Sequence, residues 1–151
     1  MQKFLPITSE GLIRLKEEKE KLLEKRPRTV ESLRFAREMG DLSENAAYKV
    51  ARMELSSIDS RLRYLQKMIL TSKVITSLKT GYAGIASTVR FKKDGEVGHY
   101  QIVGSVESDP SQGKISHVSP IGRAFIGKKA GDKVAIDTPH GRVYYEILSI
   151  D

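Results

Sequence analysis

Between Thr8 and about Thr71 apolar residues recur at helical spacing in a charged stretch with few glycines, whereas beyond Gly81 glycines and β-branched residues take over. Leu12, Leu15, Leu22, Val30 and Leu33 form a narrow stripe that predicts a helix capped by Thr8 and running to about Glu38. Tyr48, Ala51, Leu55, Ile58, Leu62, Leu65 and Ile69 alternate steps of three and four, the period of a coiled-coil seam, which needs a partner. In the Met39-Gly40-Asp41-Leu42-Ser43 connection, Gly40 can end the first helix in a left-handed cap and Asp41 or Ser43 can begin the second. So short a loop makes the helices antiparallel neighbours. Helices of roughly 28 to 31 residues would extend about 42 to 46 Å, longer than a domain this small requires. Pro27 interrupts the first pattern, so a kink is expected there; the alternative is a third helix restarting near Thr29.

Residues 71–84 read as a connector, and period two follows. Val89 and Phe91, Tyr100 and Ile102, Val134 and Ile136, and Val143, Tyr145 and Ile147 alternate as half-buried strands do. Asp94-Gly95, Ala130-Gly131-Asp132 and Pro139-His140-Gly141 supply the turns. Ser119-Pro120 before Ile121 to Gly127 predicts a short helix, with serine at the cap and proline at the first helical position. The expected fold class is α+β in two domains. Residues 1–75 form a long antiparallel α-helical coiled-coil hairpin, and residues 80–151 a small antiparallel sheet carrying one helix.

The 151 residues contain no cysteine, which excludes disulfides, thiolate metal sites and cysteine nucleophiles. Any metal must therefore come through oxygen or imidazole, and His99, His117 and His140 lack ligand spacing and read as ordinary strand and turn residues. Neither a secretory signal nor a bilayer-spanning run is apparent, so a cytoplasmic protein with no membrane partner is expected. No phosphate-cradling glycine loop and no nucleophile and base set point to a small-molecule substrate. The net charge of +7 favours a polyanionic partner or an acidic protein surface. Residues 1–75 hold sixteen Lys and Arg against eleven Asp and Glu, so most of the excess lies in the helical half.

The connection Gly40-Asp41-Leu42-Ser43-Glu44-Asn45 places two carboxylates at the end of the hairpin. Capping by Asp41 or Ser43, with Glu44 gaining about 0.3 to 1 kcal/mol from the helix dipole, would account for them structurally. Their place at the end of a long lever suggests a probe instead. Magnesium is usually held by one or two protein carboxylates together with substrate phosphates and waters. Two acids on an exposed tip would bind it weakly alone. Set beside another protein's metal and an RNA phosphate, they would complete a two-ion site for phosphodiester hydrolysis, so no nuclease activity is expected of the chain by itself.

Gly40-Asp41-Leu42-Ser43-Glu44-Asn45-Ala46 followed by Tyr48 strongly resembles the hairpin tip of the GreA/GreB transcript-cleavage factors. Ile115 to Lys128, ISHVSPIGRAFIGK, resembles that family's second signature, and Pro6-Ile7-Thr8 before Gly11 and Leu15 also matches. The resemblance implies a coiled coil that enters the RNA polymerase secondary channel and an FKBP-like domain that docks at its mouth. It assigns Asp41 and Glu44 to coordination of a catalytic magnesium shared with bacterial RNA polymerase, the free protein holding none tightly. The polymerase then cuts the nascent RNA 3′ end in backtracked complexes, and Ser43 and Asn45 support the tip.

Arg34, Arg37, Lys49 and Arg52 flank the tip, where an extruded RNA strand would pass. Such cations ordinarily form a solvated face paired with Glu31, Glu38 and Glu54. The resemblance matches Arg37 and Arg52 to the family's basic patch, whose expected contribution is phosphate attraction rather than base reading. Ser119, Pro120 and Ile121 fall on the polymerase-docking turn, and Val118 stands where the family often carries a polar or acidic residue. The basic residues form no extended run along the coil, which favours the GreA type. One alternative is a channel-binding regulator that inhibits polymerase without stimulating cleavage. From a different class come a coiled-coil chaperone and a prolyl isomerase, the latter resting on fold alone.

Overall fold

The computed structural model describes residues 3–41 and 44–151. It divides into two compact units, Leu12–Thr71 and Met1–Gly11 together with Ser72–Asp151. Among the described residues no helix is long and apolar enough to cross a membrane.

The first unit is built from α1 (Ser9–Glu38, 30 residues) and α2 (Ala46–Thr71, 26 residues). On α2 the buried residues are Ala51, Ile58 and Leu65, spaced by sevens, and Tyr48, Leu55, Leu62 and Ile69 are half-buried. Leu15, Leu22, Thr29 and Ala36 carry the same interval along α1. The seam therefore passes through Thr29, 3% exposed, and not through Val30, 38% exposed, because a 3.5-residue repeat leads from Leu22 to position 29. The adjacent half-buried row of α1 contains Leu12, Lys19, Arg26 and Leu33. Two polar members in that row, together with Thr29, explain why the apolar stripe of α1 looks narrow.

Ion pairs tie the hairpin: Glu18 to Arg61 at 2.6 Å, Lys25 to Glu54 at 2.7 Å, and Arg26 to Asp59 at 2.6 Å. Along α1 the partner's number falls from Arg61 to the region of Glu54 and Asp59, as antiparallel helices require. Exposed, solvent-screened pairs of this kind add little net stability, so their main effect is on register. α1 is unbroken through Pro27. The three-helix alternative is thereby excluded: flanking turns and the seam hold the helix across the missing amide donor.

In the second unit, β1 (Leu5–Ile7) pairs in parallel with β2 (Ser72–Val74). The segment before α1 thus packs with the chain that follows α2, so this division differs from a single boundary near residue 75. A five-stranded sheet is formed by β3 (Thr88–Lys93), β4 (Glu96–Val103), β5 (Lys114–Ser116), β6 (Lys133–Thr138) and β7 (Gly141–Ile150). Their order is β5-β4-β3-β7-β6. The four longer strands pair antiparallel as expected, but β5 joins β4 in parallel, making the sheet mixed. Asp94 and Gly95, with φ of 51° and 82°, make the tight turn between β3 and β4.

The helix α3 (Pro120–Phe125) covers one face of this sheet. Phe125 is fully buried and meets Tyr145 edge-on at 5.4 Å, and Tyr145 meets Phe91 edge-on at 5.0 Å. Val89, Ile102, Ile115, Val134, Ile136 and Ile147 complete the core from alternating strand positions.

Candidate functional site

At the tip, the Met39 amide donates to the Ala36 carbonyl oxygen at 3.3 Å, tightening the last turn of α1. Gly40 follows with φ of 116°, a conformation open to glycine and disfavoured for other residues. Of the described residues at the tip, Asn45 and not Asp41 holds the cap position of the second helix. Asn45 Oδ1 accepts the Tyr48 amide at 3.0 Å, and its Nδ2 donates to the Ala36 carbonyl at 2.6 Å. One amide side chain caps α2 and fastens it to the end of α1.

This cap changes the status of the acids. α2 begins at Ala46 with no acidic residue in its first turn, so Glu44 lies outside the helix rather than within it. Asp41 and Glu44 are both exposed. Ser43 lies outside the described residues. The carboxylates supply hard oxygen donors of the kind magnesium takes. No group of three or more His, Cys, Asp or Glu able to hold a metal occurs among the described residues.

The surrounding cations are not equivalent. Arg34 donates to Glu31 at 2.6 Å and lies 5.6 Å from the Phe35 ring centre. Arg37 lies over Tyr48, at 5.9 Å from the ring centre, so it rests against the first turn of α2. Lys49 and Arg52 are exposed on α2 and border a shallow groove with Met53, Ser56, Ser57 and Ser60. Glu54, one possible neighbour for them, turns instead to Lys25. Among the described residues, Arg34 is engaged by a neighbouring acid, Glu31.

In the sheet unit, Ser119 caps α3: its Oγ accepts the Gly122 amide at 3.0 Å and donates to the Ser116 carbonyl at 2.6 Å. Pro120 opens the helix as expected, and Ile121 is half-buried against the core. This turn borders a pocket of ≈ 360 Å³ lined by Tyr100, Ile115, Ile121, Ile136 and Pro139. Val118 is 47% exposed beside it in sequence. His117 Nδ1 is buried without a hydrogen-bond partner, and the three histidines form no metal cluster among the described residues.

The capping role of Asn45 was not anticipated from sequence, although Asn45-x-x-Tyr48 has the spacing of an amide cap. Thr8 caps α1 as expected, its hydroxyl accepting the Gly11 amide at 3.1 Å; the part played by Glu107 was not legible, because it lies 99 residues beyond Thr8.

Residues 5–74 match the family described as "Transcription elongation factor, N-terminal", and residues 78–151 match "Transcription elongation factor, GreA/GreB, C-term". The chain is 41% identical to Transcription elongation factor GreA of Lactococcus lactis subsp. cremoris (strain SK11), over 100% of both chains. It is 41% identical to the same-named protein of Bacillus cereus (strain AH187), over 99% of this chain and 98% of the relative. The crystal structure of GreA factor homolog 1 (Gfh1) protein of Thermus thermophilus is similar over 99% of each chain, at 24% identity and a TM-score of 0.47. With both halves matched in order and full-length relatives at this identity, the chain belongs to the GreA/GreB family of transcription elongation factors and is of the GreA type.

Proposed function

We propose that this elongation factor inserts its hairpin tip into the secondary channel of RNA polymerase and stimulates the polymerase's own cleavage of backtracked nascent RNA. The observation that carries this reading is the exposure of Asp41 and Glu44 on a turn whose capping is done by Asn45. The cap position of α2 is filled by a neutral amide, so the turn presents its two carboxylates without using either one there.

In this reading Asp41 and Glu44 would hold a magnesium ion jointly with the polymerase and the RNA. When bound, that ion supplies Lewis-acid stabilisation of phosphoryl oxygen and an activated water. The chain contributes two carboxylate donors, the stiffness of two packed helices and the amide clamp that fixes the turn. Arg37, Lys49 and Arg52 attract the phosphates of the extruded 3′ end, and the Ser119-Pro120-Ile121 turn meets the polymerase surface. The chain is then a stimulator and not an enzyme.

The test adds the protein and magnesium to a stalled, backtracked elongation complex and follows RNA length. Shortened transcripts with new 3′ ends are expected, and none when the protein is incubated with RNA alone. Replacing Asp41 and Glu44 by alanine is expected to abolish shortening while polymerase binding persists. Binding that blocks elongation without cleavage would overturn the proposal in favour of an inhibitory factor.

A further inference from the structure

Residues three positions beyond a seam residue project to one side of a helix seam, and those four beyond project to the other. On α1 the seam runs through Leu15, Leu22, Thr29 and Ala36, so Glu18, Lys25, Ser32 and Met39 share one side, and Lys19, Arg26 and Leu33 the other. On α2 the seam runs through Ala51, Ile58 and Leu65, and Glu54 and Arg61 stand three beyond it, in one row with Ala47. The pairs Glu18–Arg61 and Lys25–Glu54 join these two rows along one flank of the hairpin, and Arg26–Asp59 marks the opposite flank.

Towards the tip the flanks part in chemistry. The flank of Glu18–Arg61 and Lys25–Glu54 continues into Ser32, Phe35, Met39, Ala47 and Val50, none of them charged, with Phe35 three beyond Ser32 and Val50 three beyond Ala47. Phe35, Met39 and Val50 are 58%, 76% and 64% exposed. The flank of Arg26–Asp59 continues instead into Arg52, seven before Asp59, and Arg37, four beyond Leu33 and over the Tyr48 ring. Arg34 borders Phe35 at 5.6 Å but is bonded to Glu31. Large apolar side chains gathered on one flank, beside a seam that is already filled, mark a surface that another molecule covers.

Charge decides which molecule. RNA phosphates are drawn to the cationic flank, which turns the opposite flank towards protein inside an enclosing channel. An uncharged flank matches apolar side chains there, because a charge pressed against it would lose water and gain no partner. Three side chains cover far less than the roughly 1,200 Å² at which stable complexes begin, so they fit one part of a larger contact rather than a dimer of this chain. We propose that Phe35, Met39 and Val50 seat against an apolar patch on the wall of the polymerase channel, fixing the rotation of the hairpin so that Arg37 and Arg52 face the extruded RNA. This inference rests on the insertion of the tip proposed above and does not require cleavage.

The experiment measures binding of the full chain to RNA-free polymerase and to a backtracked complex. Phe35→Gln, and a triple variant that adds Met39→Gln and Val50→Gln, replace exposed apolar groups with a good helix former, so helix content by circular dichroism is expected to persist. Phe35→Gln is expected to weaken binding roughly 5-fold and the triple variant roughly 30-fold, equally with and without RNA and with little response to salt. Phe35→Leu should retain most of the affinity, and Ile13→Gln, at an exposed apolar position near the start of α1, should change it by less than about twofold. Should the triple variant fail to fold, Phe35→Gln against Phe35→Leu carries the test. Unchanged binding in the folded variants, or equal weakening by Ile13→Gln, would overturn the inference. Weakening confined to the backtracked complex would assign the flank to RNA bases, and a concentration-dependent dimer abolished by the triple variant would assign it to a second copy; either result overturns it. Unaltered protein that binds polymerase without stimulating cleavage would remove the proposed function and leave this contact standing, whereas no binding at all would remove both.

Discussion

Asn45 Nδ2 donates to the carbonyl oxygen of Ala36, nine residues earlier, at 2.6 Å, while the same side chain's Oδ1 caps α2. Asn45→Ala removes both bonds and is expected to destabilise the start of α2 by about 1 kcal/mol. Faster amide exchange at Tyr48, with little change near Leu65, is the expected readout. Asn45→Asp keeps a capping oxygen but loses the donor to Ala36, so it should protect Tyr48 and still weaken cleavage stimulation.

The basic residues should separate by salt response. Arg37→Ala and Arg52→Ala are each expected to weaken stimulation at low salt and to flatten its salt dependence by about 0.7 logarithmic units per lost phosphate contact. Arg34→Ala should do less, because Arg34 already bonds Glu31 at 2.6 Å. Cleavage rates between low and moderate potassium salt would distinguish these outcomes.

Acid should loosen the hairpin. Hydrogen bonding to Arg61 holds the Glu18 carboxyl below its ordinary value of 4.5, and Arg26 does the same for Asp59 relative to 3.8. Both groups have lower values folded than unfolded. Their stabilisation is therefore present above the unfolded values and is lost as pH falls through the lower folded ones. Helix content monitored by circular dichroism should decline below about pH 4.5, with Asp59→Asn removing part of that dependence. The amplitude should be small, since both pairs are well exposed.

Thr29 is 3% exposed, and its hydroxyl meets the Lys25 carbonyl only at 3.4 Å. Thr29→Val replaces a weakly bonded hydroxyl with a methyl in the seam and is expected to stabilise the hairpin by about 1 kcal/mol. Urea unfolding should show a higher midpoint with an unchanged slope.

In the sheet, a Cβ at Gly98 would lie 3.0 Å from Phe91 Cζ, on the cross-strand neighbour of Gly98. Gly98→Ala should cost about 1 to 3 kcal/mol by crowding the aromatic cluster, read as a lower thermal midpoint.

How legible each element was follows from how completely its side chains obey one period. Every seam position of α2 is apolar or aromatic, so its heptad was visible from Tyr48 to Ile69. In α1, Lys19, Arg26 and Thr29 occupy seam positions, and the eye moves to Val30, which has the right polarity and the wrong phase. β1, β2 and β5 have three residues each, too few for alternation to register. At the tip, Asp41, Ser43 and Asn45 are all good cap formers, and residue type alone does not select Asn45. The two carboxylates could be named in advance because the tip motif resembles a known family. That they lie outside α2 depended on three-dimensional closure.

A neutral amide fastens the start of α2 to the end of α1. If the tip acts as proposed, a descendant that kept this clamp and lost its tip carboxylates would occupy the polymerase without assisting it, a short route from rescuer to antagonist.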